Sequence, residues 1–301
     1  IFLSVLVVCS SLSNTNLKSF SLNKKSTANP LSKEDKPVII ISLDGFLIVA
    51  GKQNETPFEI PAIIGKYNGK QEKEVKKDDI LTGDEAKNKR KYLNIEYPFK
   101  NGKLDKNEKI IYKVFDDIFS ILEVSPREHN LFLLVPVTYS KEDINFLADL
   151  LFEKFSIKKM YIMYDLLADI VTTGSMTGFV LNSSEDITVA AFIKKGKLQK
   201  ESVVQIDKAG EDVTLELKKR LEQRGLSFIS AAHMDVLREI KRDYCFVSED
   251  PDSEEVSEEV DLYDGIKVEL RSEVFFSPEK YIQDSIEAVK KSAKKMDKKI
   301  E

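Results

Sequence analysis

Metal-ligating and redox side chains are scarce in this chain. Its 301 residues include two histidines and two cysteines, which excludes a zinc site built from several His and Cys ligands. Cys9 and Cys245 allow one disulfide at most, and no Cys-x-x-Cys redox motif occurs. A basic excess is also lacking. Lys and Arg number 46 against 51 Asp and Glu, a formal net charge of −5, whereas a general nucleic-acid binder is usually basic. The apolar run at the start, Ile1 to Val8 with its extension to Leu12, falls short of the ~20 residues that cross a bilayer. Tryptophan is absent, which discriminates nothing. What remains is 42% hydrophobic and 32% charged. That is enough apolar material for a packed core, and it excludes a disordered, collagen-like or low-complexity chain. At ~150 residues per domain, the length suggests about two domains.

The apolar start has the length of the core of a secretory signal, but no initiator Met and no basic segment precede it. Residues 1–36 therefore read either as a leader or as a disordered extension. From Val38 the pattern becomes orderly. Val38 to Leu43 is a continuous apolar run, as expected of a buried strand. Asp44-Gly45 predicts a turn into a second strand, Phe46 to Ala50, and Ile60 to Ile64 reads as a third. Lys70 to Asp79 is a charged loop. The apolar spacing predicts helices over Asp105–Leu122 and Lys141–Phe155, strands at Leu131–Val135 and Tyr161–Tyr164, and a helix at Leu166–Thr173.

A second unit repeats the order. Gly178–Asn182 and Ile187–Ile193 read as a hairpin, and Gly210–Arg224 and Ala231–Cys245 as amphipathic helices. Glu249 to Asp264, with nine carboxylates, reads as an acidic loop, Ile266–Leu270 as a strand and Ser277–Ile300 as a lysine-rich helix. The fold class expected is α/β, with two related domains of mixed sheets flanked by helices. Two such halves leave a central cleft with the hairpin turns opposite one another.

Several stretches are specific. They include Pro61-Ala62-Ile63-Ile64-Gly65, Thr82-Gly83-Asp84-Glu85-Ala86 with Lys89-Arg90 and Tyr97-Pro98, and Pro126-Arg127-Glu128-His129. Asp207-Lys208-Ala209-Gly210-Glu211-Asp212-Val213-Thr214, Arg224-Gly225-Leu226-Ser227-Phe228 and Arg238 to Cys245 complete the set. On these residues the chain resembles the actins and actin-related proteins, from Val38 to about Pro278. The resemblance implies an actin-like fold, with a first domain over 37–172 carrying a small inserted subdomain at about 66–98. The second domain covers 173–301 and is expected to be incomplete at its C-terminus, where the family's later Gly-Gly-Thr segment has no counterpart.

The family holds ATP or ADP with Mg between two hairpin turns, whose backbone N–H groups clamp the phosphates. The resemblance places Asp44 and Gly45 in the first turn, with Asp44 on the metal side. It places Ser183 and Glu185 in the second turn, and Gly210 and Lys241 beside the nucleoside. The chain departs from the family at most of these places. Phe46 and Leu47 replace glycine and a hydroxyl donor. Asn182-Ser183-Ser184-Glu185-Asp186 stands for Asp-Ser-Gly-Asp-Gly, which removes both glycines and adds a carboxylate where phosphate approaches. Asp165 and Val189 occupy the positions of the Gln and His that orient the attacking water. Val189 cannot hydrogen-bond, and a carboxylate at Asp165 opposes the charge that develops on phosphate. No catalytic residue is therefore assigned, and the nucleotide is expected to bind weakly or not at all.

The function this implies is that of a divergent actin-related protein, an assembly or scaffold subunit that does not hydrolyse ATP. The partners expected are proteins: actin, subunits of an actin-related complex, or regulators. Neither direct nucleic-acid binding nor membrane contact is expected, unless the leader is a true signal. The location expected is cytoplasmic or nuclear, with the secretory pathway following only from such a signal. The alternatives are an ATP-hydrolysing, filament-forming actin and a subunit of a chromatin-remodelling complex. The charged Lys70–Lys77 loop and the loss of an apolar plug before Gln283 weigh against a filament.

Overall fold

The computed structural model describes residues 36–69, 80–228, 231–248, 250, 256–261 and 267–283. The predicted leader, the charged loop after Gly69 and the lysine-rich segment after Gln283 lie outside them. The first sheet starts with a hairpin, β1 (Ile39–Leu43) and β2 (Leu47–Lys52), flanked by β3 (Phe58–Pro61). A separate three-stranded sheet follows, built from β4 (Ile64–Tyr67), β5 (Ile80–Thr82) and β6 (Leu93–Glu96), with α1 (Gly83–Lys89) inserted. The chain then returns through α2 (Glu108–Ile121), β7 (Leu131–Val135), α3 (Lys141–Phe155) and β8 (Met160–Tyr164). The finished first sheet has the order β3-β2-β1-β7-β8, with β7 parallel to both β1 and β8.

Each of β1, β7 and β8 is apolar on both faces, the pattern of strands meant to be covered twice. One face is buried. Ile41, Leu43, Leu133 and Val135 pack against the apolar stripes of α2 and α3, including Ile111, Phe115, Leu147 and Leu151. The rings of Phe115, Phe119 and Phe155 meet at centroid distances of 5.1 to 6.4 Å. The other face carries Ile40, Phe132 and Tyr161 in one register row. The Phe132 and Tyr161 rings stack at 5.4 Å, yet Tyr161 remains 61% exposed. α3 begins with a reciprocal cap: Asp143 N–H donates to Ser140 Oγ at 3.2 Å, and Ser140 N–H to the Asp143 carboxylate at 2.8 Å.

α4 (Asp165–Thr172) leads into the second sheet. Its central strand is β10 (Thr188–Lys194), with β9 (Gly178–Ser183) on one side. The short strands β11 (Lys197–Leu198) and β12 (Val204–Ile206) lie on the other. Leu166 and Ile170 of α4 cover the face made by Val180, Val189, Ala191 and Ile193. A third core joins α5 (Gly210–Gln223), α6 (Ala231–Tyr244), β14 (Lys267–Leu270) and α7, the helical residues 273–283. Among the described residues no helix is long and apolar enough to cross a membrane.

Three expectations need correction. The apolar run Ile60–Ile64 is not one strand. It breaks at Ala62, whose N–H donates to Phe46 O at 2.9 Å, so its two ends serve different sheets. The acidic segment is not loop throughout, because β13 (Glu258–Asp261) pairs antiparallel with β14. The last helix starts earlier than Ser277, at residue 273, and runs without interruption through residue 283.

Candidate functional site

The two hairpin turns do face one another, and they touch. In the first, Asp44 N–H donates to Leu47 O at 3.2 Å; in the second, Ser184 N–H donates to Ile187 O at 3.0 Å. Asp186 reaches from the second turn toward the first. One carboxylate oxygen accepts the Ser184 hydroxyl at 2.7 Å, and the other accepts the backbone N–H of Asn101 at 2.5 Å. Asn101 offers that N–H from a left-handed backbone, φ 59°. A Cβ on Gly45 would lie 2.1 Å from Asp186 Oδ2. The close approach that glycine permits is thus used by a carboxylate of the same chain. The space left between the turns is about 30 Å³, lined by Asp44, Gly45, Asp165, Asn182, Asp186 and Val189 among others. That accommodates a water molecule or two, whereas small-molecule pockets run to several hundred Å³.

The electrostatics of this space are those of crowded acids. Burial, followed by the neighbouring Asp186 charge, pushes Asp44 up to about 6. Burial, with Asp169 and Asp44 nearby, pushes Asp165 up to about 7, although Asp165 Oδ1 accepts the Leu166 N–H at 2.7 Å. One turn along α4, burial raises Asp169 to about 6. Val189 is buried beside them and offers no polar atom.

Glu185, Gly210 and Lys241 are brought together as a second cluster. The Lys241 ammonium lies 2.6 Å from both Glu185 oxygens and donates to Gly210 O at 3.0 Å. A Cβ on Gly210 would meet Glu185 Oε2 at 2.5 Å. The first amides of α5 are spent on the same turn: Gly210 N–H donates to Ser184 O at 3.1 Å, and Glu211 N–H to Glu185 O at 2.6 Å. Free N–H groups at a helix start are a ready anion site, and these two already have acceptors. Ser183 stands apart, its hydroxyl 2.8 Å from Thr188 Oγ1 and 2.9 Å from the Tyr281 hydroxyl of α7.

Sequence reasoning missed a further group that crosses the cleft. Phe46, read only as a lost donor, packs on Tyr97 at 4.6 Å. Lys100 Nζ and the Arg238 guanidinium each lie 5.3 Å from its ring centroid. Arg238 also meets Asp235 at 2.9 Å, Glu211 at 3.5 Å and Glu185 at 3.8 Å. Lys100 pairs with Glu211 at 2.8 Å, and Arg90 pairs with Asp235.

These residues do not fit a polyphosphate. The cradle at Gly45 is filled by Asp186, the lysine is neutralised by Glu185, and the cavity is lined with carboxylates. Asp44, the candidate metal ligand, faces Asp186 and Asp165. Among the described residues no group of three or more His, Cys, Asp or Glu side chains is arranged to hold a metal ion.

Comparison with known proteins accounts for the architecture. The chain is 26% identical over 258 residues to actin-related protein 2 of Schizosaccharomyces pombe (strain 972 / ATCC 24843), a match covering 82% of this chain and 66% of that relative. It thus spans slightly less than two thirds of the relative's length. The family model described as Actin matches residues 49–300, and with two facing hairpin turns between an α/β pair of sheets, the chain belongs to the actin family.

Proposed function

We propose that this chain is a divergent actin-related protein that serves as a non-hydrolysing assembly or scaffold subunit, with protein partners of the actin and actin-related class. The observation that carries this reading is Asp186 seated against Gly45 between the turns. It puts a negative charge where a triphosphate needs backbone donors, and like charges in a desolvated site repel strongly. The two positions that orient water in the family add to it. Val189 is buried and has no polar atom, and Asp165 is a half-buried acid whose pKa desolvation pushes up to about 7.

The test is phosphate release at saturating MgATP, together with a thermal shift. The expected outcome is background turnover and little or no shift at millimolar MgATP. A ligand present at about 100 times its dissociation constant would stabilise by ~2.7 kcal/mol. Turnover that falls in Asp165→Ala would instead support the ATP-hydrolysing reading. Electron microscopy under salt and magnesium conditions that polymerise actin is expected to show no ordered filaments.

A further inference from the structure

We infer that the two halves of this molecule are held closed by a latch of its own side chains, which takes over the bridging role of a bound nucleotide and cation. The inference deepens the proposed function and rests on it only in treating the cleft as independent of ligand.

The latch has three points along the cleft. At its floor, the Asp186 carboxylate of the second half accepts the Asn101 N–H of the first and packs on Gly45. In the middle, Arg238 lies over the Phe46 ring of the first half while facing Glu185, Glu211 and Asp235 of its own. Lys100 of the first half reaches the same ring and pairs with Glu211 of the second. At a third point, Arg90 beside the small sheet pairs with Asp235 of α6.

The chemistry suits a permanent closure. A ligand bridge is strong only while ligand is bound, whereas a guanidinium shared among an aromatic face and three carboxylates has its partners covalently tethered. Each carboxylate also serves a second contact: Glu185 with Lys241, Glu211 with Lys100, Asp235 with Arg90. Opening the cleft therefore breaks the Lys100–Glu211 and Arg90–Asp235 pairs and takes Arg238 off the Phe46 ring together, which favours all-or-none opening. Phe46 is the residue that makes this work. A glycine or a small hydroxyl residue at that place would remove the aromatic face that Arg238 and Lys100 share and leave them only Glu211 in common.

Amide hydrogen exchange tests it, read in peptides spanning 44–48 and 99–103, with 131–135 of β7 as the core reference. Protection in the first two is expected to be the same in millimolar MgATP and in EDTA without nucleotide. Arg238→Ala is expected to speed exchange there roughly fivefold or more under both conditions, leaving 131–135 unchanged. Should that variant fail to fold, Glu211→Gln keeps the shape and removes one charge, and at least about a twofold acceleration is expected. Protection that appears only with MgATP, or variants that exchange like the parent, overturns the latch. The two proposals fail separately. ATP turnover with ligand-independent exchange sinks the scaffold reading alone, and MgATP-dependent exchange without turnover sinks the latch alone.

Discussion

Asp186 Oδ2 lies where Gly45 would carry a side chain, so close that a methyl group there would sit 2.1 Å away. The relationship is reciprocal. Gly45 must stay bare because Asp186 fills its space, and Asp186 can be buried to 8% exposure because Asn101 and Ser184 satisfy its oxygens.

Gly45→Ala should therefore destabilise through crowding, by about 1–3 kcal/mol. Combining it with Asp186→Gly should recover part of the loss, since the two side chains compete for one space. Urea denaturation of both single variants and the double variant checks this. Additive losses would mean that the contact is not the cause.

The half-buried acids of the cleft predict a pH dependence of definite sign. Asp165 rises to about 7 in the folded chain, against an unfolded value near 3.8. The native state then holds more protons between those values, so this group's contribution is complete below the unfolded value and is lost as pH rises through 7. Asp165→Asn should exceed the parent by about 1–2 kcal/mol near pH 5 and by about 4 kcal/mol at pH 8. Unfolding measured at both values decides the matter; an equal effect at the two would show that Asp165 is not titrating there.

Lys241 and Glu185 should be energetically coupled. Lys241→Met leaves a carboxylate partly buried with Arg238 at 3.8 Å as its nearest remaining cation in the cluster, at a cost of about 1–3 kcal/mol. Replacing both partners by Met and Leu should cost less than the two single changes added together. A double-mutant cycle by chemical denaturation reads the difference.

Ser140→Ala should remove the reciprocal cap of α3 and cost about 1 kcal/mol. Thr at the same place should retain most of it. Thermal unfolding of the three proteins provides the check.

Much of this structure could be read directly from residue patterns, and the exceptions have physical causes. α3 and β7 begin and end where their periodicity does, because a capped amphipathic helix and a doubly apolar strand are local signals. The break at Ala62 is not local. Ile60–Ile64 is uniformly apolar, and what divides it is a hydrogen bond to Phe46, sixteen residues earlier. β13 is hidden because Glu258 and Glu259 look like solvated loop, while the Lys267–Glu259 ion pair comes only with pairing to β14. In the site, Glu185, Gly210 and Lys241 could be placed through the family pattern, and the structure gathers them. Phe46 and Arg238 lie in family-matched stretches too, but their contact with each other does not show in the pattern. Each is unexceptional in its own neighbourhood, and they meet only once the segments around β1 and α6 have packed together.

The small sheet of β4, β5 and β6 enters the chain at Ala62 and leaves it at Tyr97. Both passages border one residue: Ala62 bonds to the carbonyl of Phe46, and Tyr97 lies on its ring. A pull on that sheet by any neighbouring molecule is thus delivered, along both covalent routes, to the side chain that Arg238 grips from the other half. Traction at the periphery of the sheet would thus load Phe46 along the chain and the Arg90–Asp235 pair directly, the same contacts that join the two halves.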